Sequence, residues 1–222
     1  MKRPAEIRTP PRSWLRVLAE SYPFLREHGL GDLIVFGSQA MSVYLKNPLR
    51  SKDLDLVSSQ IGPAQHDLLR DHLSHIPWLE LRSTTIQSRP LAKGDLKTYS
   101  IELRLEKKPF FIEVFDKILD GRSPTELADY LEERKRWGLR LWVPNPNAMV
   151  ALRLCFRQPE GISRLNAIRL NRFIEKERRR MSPRKVREII TQWDLWPLVH
   201  ANIKDLYRRN RIRIANIENI LP

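Results

Sequence analysis

The sequence predicts an α+β fold: a mixed sheet with flanking helices over residues 1–144, followed by a basic C-terminal helical region over residues 145–222. Three observations lead there. Strand-like and helix-like runs alternate irregularly as far as Val143. Pro144-Asn145-Pro146-Asn147 then marks a break. Beyond it the helical period continues without a strand signal.

Ser13 to Glu27 reads as a helix with Trp14, Leu15, Val17 and Leu18 along one side. Pro23 is expected to break or kink it, and Gly29 and Gly31 to end it. Leu33-Ile34-Val35-Phe36 reads as a short buried strand closed by Gly37-Ser38, and Gln39 to Lys46 as a helix closed by Asn47-Pro48. Asp53 to Val57 is a second strand, in which Leu54 and Leu56 alternate with Asp53, Asp55 and Val57. Gly62-Pro63 opens a helix that reaches about His75. Leu79 to Thr85 reads as a strand. Lys97 to Leu105 and Phe110 to Phe115 form a hairpin turned at Glu106-Lys107-Lys108-Pro109. Ser123-Pro124-Thr125-Glu126 has the form of a capping box and predicts a helix as far as Trp137-Gly138. Leu139 to Val143 is the last strand. In the C-terminal region Ala148 to Phe156, Ser163 to Arg180, a segment capped by Ser182-Pro183, and Asp194 to Asn210 read as helices.

With 222 residues and 41% hydrophobic content, the chain is long enough to bury a sizeable core. No apolar run approaches the roughly 20 residues that span a bilayer. The start, Met1-Lys2-Arg3-Pro4, is basic with no apolar stretch behind it, so no signal peptide and no membrane partner are expected, and the expected compartment is cytoplasmic. One cysteine, Cys155, excludes an internal disulfide and a cysteine-based zinc site, and reads as a small buried apolar residue. The five histidines show no ligand pattern. A net charge of +14 points to an anionic partner, nucleic acid being the commonest.

The chemistry lies in Gly37-Ser38 followed, after fourteen residues, by Asp53-Leu54-Asp55. A strand that turns tightly into a helix leaves the first N–H groups of that helix without internal partners, at the positive end of the dipole. Gly37 lets a phosphate approach the backbone, and the Ser38 hydroxyl is expected to add a hydrogen bond. Asp53 and Asp55 share one strand face, where two carboxylates repel unless a cation lies between them. Such hard oxygen donors suit Mg²⁺ or Mn²⁺ bound together with substrate phosphates. Phe110-Phe111-Ile112-Glu113-Val114-Phe115 carries one charge in an apolar run, which is costly without a partner. Glu113 is therefore the candidate third ligand and general base, with Asp116 and Glu102 as its competitors. Lys52 is expected on the opposite strand face.

These residues resemble the DNA-polymerase-β-like nucleotidyltransferase superfamily, which carries Gly-Gly/Ser, then Asp-x-Asp, then a third acid on a later strand. The nearest branch is the abortive-infection (AbiEii-like) nucleotidyltransferases, which include toxins of toxin–antitoxin pairs. The long gap before Asp53, and Ser51 two residues ahead of it, fit that branch. The resemblance covers Leu33 to Val57 and the Glu113 strand. It implies a nucleotidyltransferase core in the first region, with Asp53, Asp55 and Glu113 as catalytic metal ligands for Mg²⁺ or Mn²⁺, and Gly37 and Ser38 binding the nucleotide. It implies a nucleoside triphosphate substrate, an acceptor such as tRNA, another RNA or a protein, and an antitoxin partner. The chain departs from the branch at Arg153, where Lys is usual, and over Arg164-Leu165-Asn166-Ala167, where two acids are absent.

Between Arg172 and Arg213 thirteen Lys and Arg stand against five Asp and Glu. Arg178, Arg179, Arg180, Arg184, Lys185 and Arg187 are the densest part, with Trp193, Trp196 and Tyr207 interleaved. This face reads either as a phosphate-tracking surface for RNA or as a solvated helix face over a core of aromatics. Two other function classes compete. Asp95 with Glu106-Lys107-Lys108 superficially matches a metal-dependent nuclease, but Glu106 to Lys108 reads as a hairpin turn. A catalytically decayed scaffold that binds nucleic acid or a partner is the alternative to the enzyme.

Overall fold

The computed structural model describes residues 11–156, 162–210 and 212–221; Met1-Lys2-Arg3-Pro4 and Arg211 lie outside them. The chain divides into two compact units. The first runs to Asp129 and takes in Glu133–Val143; the second combines Tyr130–Glu132 with the chain from Pro144 onward.

The first unit opens with α1 (Pro11–Glu27), which runs on through Pro23 instead of breaking there. An internal proline costs about 3 kcal/mol. Against that, Trp14, Val17, Leu18, Tyr22 and Leu25 are all buried, each contributing roughly 1.5–3 kcal/mol, so packing outweighs the lost backbone bond. A five-stranded mixed sheet follows, built from β1 (Ile34–Val35), β2 (Asp53–Val57), β3 (Glu80–Arg89), β4 (Leu96–Leu105) and β5 (Lys108–Phe115) in the order β1-β2-β5-β4-β3. Only β2 and β5 are parallel. Between β1 and β2 lies α2 (Gly37–Tyr44), and between β2 and β3 lies α3 (Pro63–Ser74).

Strand alternation gives the sheet two unlike faces. Leu54 and Leu56 of β2, Phe110, Ile112 and Val114 of β5, and Tyr99, Ile101 and Leu103 of β4 are buried. α1 and α3 pack on the sheet. The opposite face carries Asp53, Asp55, Phe111 and Glu113, all only half-buried. The β4–β5 hairpin turns on Glu106 and Lys107 alone, both at positive φ (51° and 65°), so Lys108 and Pro109 belong to the strand. That turn separates Glu106 from Lys108 and removes the nuclease arrangement.

The helix expected from Ser123 to Trp137 is not there. Ser123 N does donate to Glu126 Oε1 (3.2 Å), half of a capping box. Only a 3-10 turn forms, at Pro124–Tyr130, and β6 (Leu131–Arg136) follows, paired with β7 (Leu139–Pro144) through a turn at Trp137 and Gly138. Leu-Glu-Glu-Arg-Lys-Arg favours a helix locally, but tertiary contacts override propensity. Trp137 packs edge-on against Trp14 (centroids 5.6 Å apart), the Trp142 N–H donates to Tyr22 Oη (3.0 Å), and Arg136 donates to the Leu45 carbonyl (3.0 Å).

The second unit is helical. α4 (Pro146–Cys155) is buried on nearly every side and contacts α5 (Arg164–Glu177), α6 (Pro183–Gln192) and α7 (Trp196–Asn210); a short α8 (Ile217–Ile220) rests on α6. Side chains of Asn145, Ser163 and Ser182 cap the first three helices, each cap contributing about 1 kcal/mol. Cys155 is buried, as its apolar neighbours suggest. Trp193 is core, 4% exposed and edge-on to Tyr130, and Trp196 donates to Thr191 Oγ1 (2.9 Å). Among the described residues, no helix is long and apolar enough to cross a membrane.

Candidate active site

Parallel pairing sets Asp53 beside Phe111 and Asp55 beside Glu113. Side chains two apart share a face, so all three acids emerge on the open face of the sheet. One oxygen from each of Asp53, Asp55 and Glu113 lies within 4.8 Å of the other two, and this is the only group of potential metal ligands among the described residues. Burial raises the Glu113 pKa above the ordinary glutamate value, and the Asp53 charge raises it further. The Lys52 charge opposes both effects.

Neither competitor joins the cluster. Glu102 stands opposite Phe111 on β4 and accepts a hydrogen bond from Ser83 (3.0 Å). Asp116, past the end of β5, accepts from the Lys97 N–H (2.7 Å). The histidines stay apart too: His66 lies buried against the Ser100 carbonyl, and His28 and His72 both stack on the Phe24 ring.

Gly37 is required twice over. Its φ is +62°, and a Cβ there would lie 1.8 Å from Asp55 Oδ2. The Asp55 carboxylate therefore rests against the first residue of α2, where the helix dipole stabilises negative charge. Phe36, at the N-cap, caps the helix with no side-chain bond. Ser38, the next residue, is buried, and its Oγ lies 2.9 Å from Ser51 Oγ. Ser51 in turn donates to Asp53 Oδ1 (2.8 Å), while Gln39 Nε2 donates to the Asp53 carbonyl. The Ser38 hydroxyl, expected to serve a phosphate, is thus already engaged toward the acids. The Ser51 bond was not foreseen. A hydroxyl two residues before the first acid of Asp-x-Asp was the available signal, since that spacing lets a side chain reach its neighbour's carboxylate.

The six basic residues singled out in the C-terminal region sit around the α5–α6 connection. Arg180 pairs with Glu132 (2.8 Å) and Glu177 (3.1 Å), Arg184 with Glu188 (2.8 Å), and Arg187 donates to the carbonyls of Asn219, Ile220 and Leu221. Arg178, Arg179 and Lys185 are exposed.

No protein-family model and no curated protein matches the chain. Among the solved structures that resemble the chain, two serve for comparison. One is an antigenic nucleotidyltransferase-like protein from Paracoccidioides brasiliensis, 11% identical over 96% of this chain and 94% of that one, with a TM-score of 0.46. The other is the lincosamide antibiotic adenylyltransferase LnuA bound to lincomycin, 13% identical over 75% of this chain and 98% of that one, with a TM-score of 0.43.

Proposed function

We propose that this chain is a metal-dependent nucleotidyltransferase, moving a nucleoside monophosphate from a nucleoside triphosphate to an acceptor and releasing pyrophosphate. The observation that carries this reading is the convergence of Asp53, Asp55 and Glu113 within 4.8 Å, beside the glycine that starts α2. Three like charges at this range are stable together only with a proton or a cation among them. All three donors are carboxylate oxygens, which fits Mg²⁺ or Mn²⁺ and not a thiophilic metal. A bound ion of that kind supplies positive charge to the triphosphate and to the departing pyrophosphate. Asp53 and Asp55 anchor it. Glu113, whose burial raises its proton affinity, shares the ion and accepts the acceptor's hydroxyl proton. The acceptor oxygen bonds to the α-phosphorus as the bond to the β-phosphate oxygen breaks, and that electron pair leaves with pyrophosphate. Gly37 keeps the approach to the backbone open.

RNA is the acceptor class supported by the exposed Arg178, Arg179 and Lys185, although Arg180, Arg184 and Arg187 are engaged within the chain. A protein acceptor and an antitoxin partner draw on the family resemblance alone. The second reading, a decayed scaffold that binds nucleic acid or a partner, is favoured by Arg153 and by the missing acids of residues 164–167. Incubating the full chain with Mn²⁺, each labelled triphosphate and total RNA separates the two. Incorporation that falls roughly 10³-fold in Asp53→Ala, the scale of losing one preorganised electrostatic group, supports the enzyme. Wild-type protein that incorporates no label supports the decayed scaffold.

A further inference from the structure

We infer that Ser51 is a positioning residue that sets the carboxylate of Asp53 for metal binding, an inference that rests on the nucleotidyltransferase reading above. Ser51 is 1% exposed, and its Oγ lies 2.8 Å from Asp53 Oδ1 and 2.9 Å from Ser38 Oγ. A hydroxyl has one proton to give, and an ionised carboxylate only accepts. The Ser51 proton therefore goes to Asp53, and the Ser38 proton goes to Ser51. Donation runs one way, from the first turn of α2 inward to the acid cluster.

The rest of the surroundings hold this chain of hydroxyls in place. Ser42 Oγ donates to the Ser38 carbonyl (2.8 Å), fixing the first turn of α2, and Gln39 Nε2 holds the Asp53 carbonyl. Asp53 is thereby gripped at its main chain and at one carboxylate oxygen, which leaves Oδ2 for a cation. Without the Ser51 hydroxyl the Asp53 carboxylate would lose the side-chain hydrogen bond that fixes its orientation. Hydrogen-bond partners behind a metal-ligating carboxylate are worth about 10- to 100-fold in metal affinity.

The test is Mn²⁺ titration of the full chain without nucleotide, read by thermal shift, for wild type, Ser51→Ala, Ser51→Thr and Ser51→Val. Thr and Val have the same shape, so the crowding that either causes at this buried position is shared, and their difference reports the hydroxyl. The half-saturating Mn²⁺ concentration is expected to rise about tenfold or more in Ser51→Ala and Ser51→Val, and to stay near wild type in Ser51→Thr. A purely structural Ser51 would lower the metal-free melting temperature in the variants and leave that concentration unmoved. Ser51→Val and Ser51→Thr with equal midpoints, in a wild type that responds to Mn²⁺, overturn the positioning role alone. A wild type that does not respond to Mn²⁺ overturns the metal site, and the positioning role with it.

Discussion

The first unit contains two sets of clustered carboxylates, and they are treated in opposite ways. Asp120 accepts two hydrogen bonds from the buried Arg122 (2.7 and 2.9 Å), which also reaches Glu126 (3.3 Å), while Lys93 lies 3.4 Å from Asp120. The Arg122 hydrogen bond holds the Asp120 carboxyl below the usual aspartate range. Glu113 has gone the other way, pushed up by burial and by Asp53. One set is closed within the chain: its cation is part of the sequence, and it fastens the loop after β5. The other gathers like charges on an open sheet face, and under the proposed function its cation comes from outside. The opposite pKa directions of Glu113 and Asp120 express that difference.

Gly37→Ala should break the open set most severely. The new methyl would enter the space of the Asp55 carboxylate at a φ that alanine avoids. Backbone strain and overpacking together should cost about 2–4 kcal/mol, and the Mn²⁺ response should disappear with the displaced acid. A variant with wild-type melting and wild-type Mn²⁺ response would show that Asp55 is free to move aside. Arg122→Met breaks the closed set instead. It removes the buried guanidinium from Asp120, which keeps Lys93, and from the exposed Glu126, at a cost of about 1–3 kcal/mol, measured by denaturant unfolding. The half-saturating Mn²⁺ concentration should not move. If it does, the two sets are coupled and the contrast between them fails.

The sequence exposed the open set better than the closed one. β2 was legible because Asp-Leu-Asp-Leu alternates, and Glu113 because one charge stood in an apolar run. Both signals are local, and both follow from the two-residue period of a strand. Arg122 was not legible as a clamp, since Glu126 read as part of a capping box and nothing in the sequence marks Arg122 as buried until the fold encloses the guanidinium. The Ser38–Ser51 contact joins residues thirteen apart and depends on how α2 meets the start of β2. The β6–β7 hairpin was hidden by a capping box that forms only in part, with the outcome decided by Trp14 and Tyr22, distant in sequence. In the C-terminal unit helix boundaries were readable from Ser163 and Ser182 caps. The pairing that engages Arg180, Arg184 and Arg187 was only partly so: Glu177 and Glu188 are helical neighbours, but Glu132 and the carbonyls near Ile220 are remote.

A milder pair of substitutions sharpens the comparison at constant shape. Asp55→Asn and Glu113→Gln each remove one like charge from the open set, so the metal-free variants should melt at or above wild type. Each should lose most of the rise in melting temperature that Mn²⁺ gives by binding only the folded state. Glu102→Gln and Asp116→Asn, which lie outside the cluster, should keep that rise. Retention in Glu113→Gln together with loss in Asp116→Asn would move the third ligand to the strand end.

The smallest effect is the dependence on pH, where the two sets should run in opposite directions. For Glu113 the folded pKa is raised. At acid pH both folded and unfolded chains hold the proton, and the group costs nothing. As pH rises, the unfolded chain releases its proton first, so stability falls through the raised folded pKa and the full penalty is present above it. Asp120 has its folded pKa lowered, so its contribution is complete above the ordinary aspartate value and is lost as pH falls through the lower folded one. Metal-free melts of wild type, Glu113→Gln and Asp120→Asn between about pH 3 and about pH 8 cover both windows. The advantage of Glu113→Gln over wild type should be near zero at the acid end and grow toward neutrality. The deficit of Asp120→Asn should be full at neutrality and shrink only at the acid end. Saturating Mn²⁺ would neutralise the ionised Glu113, so at neutral pH it should reverse the first difference and leave the second unchanged. A Glu113→Gln advantage of constant size across the range would mean that the acid is not held short of positive charge, and the distinction between the two sets would fall.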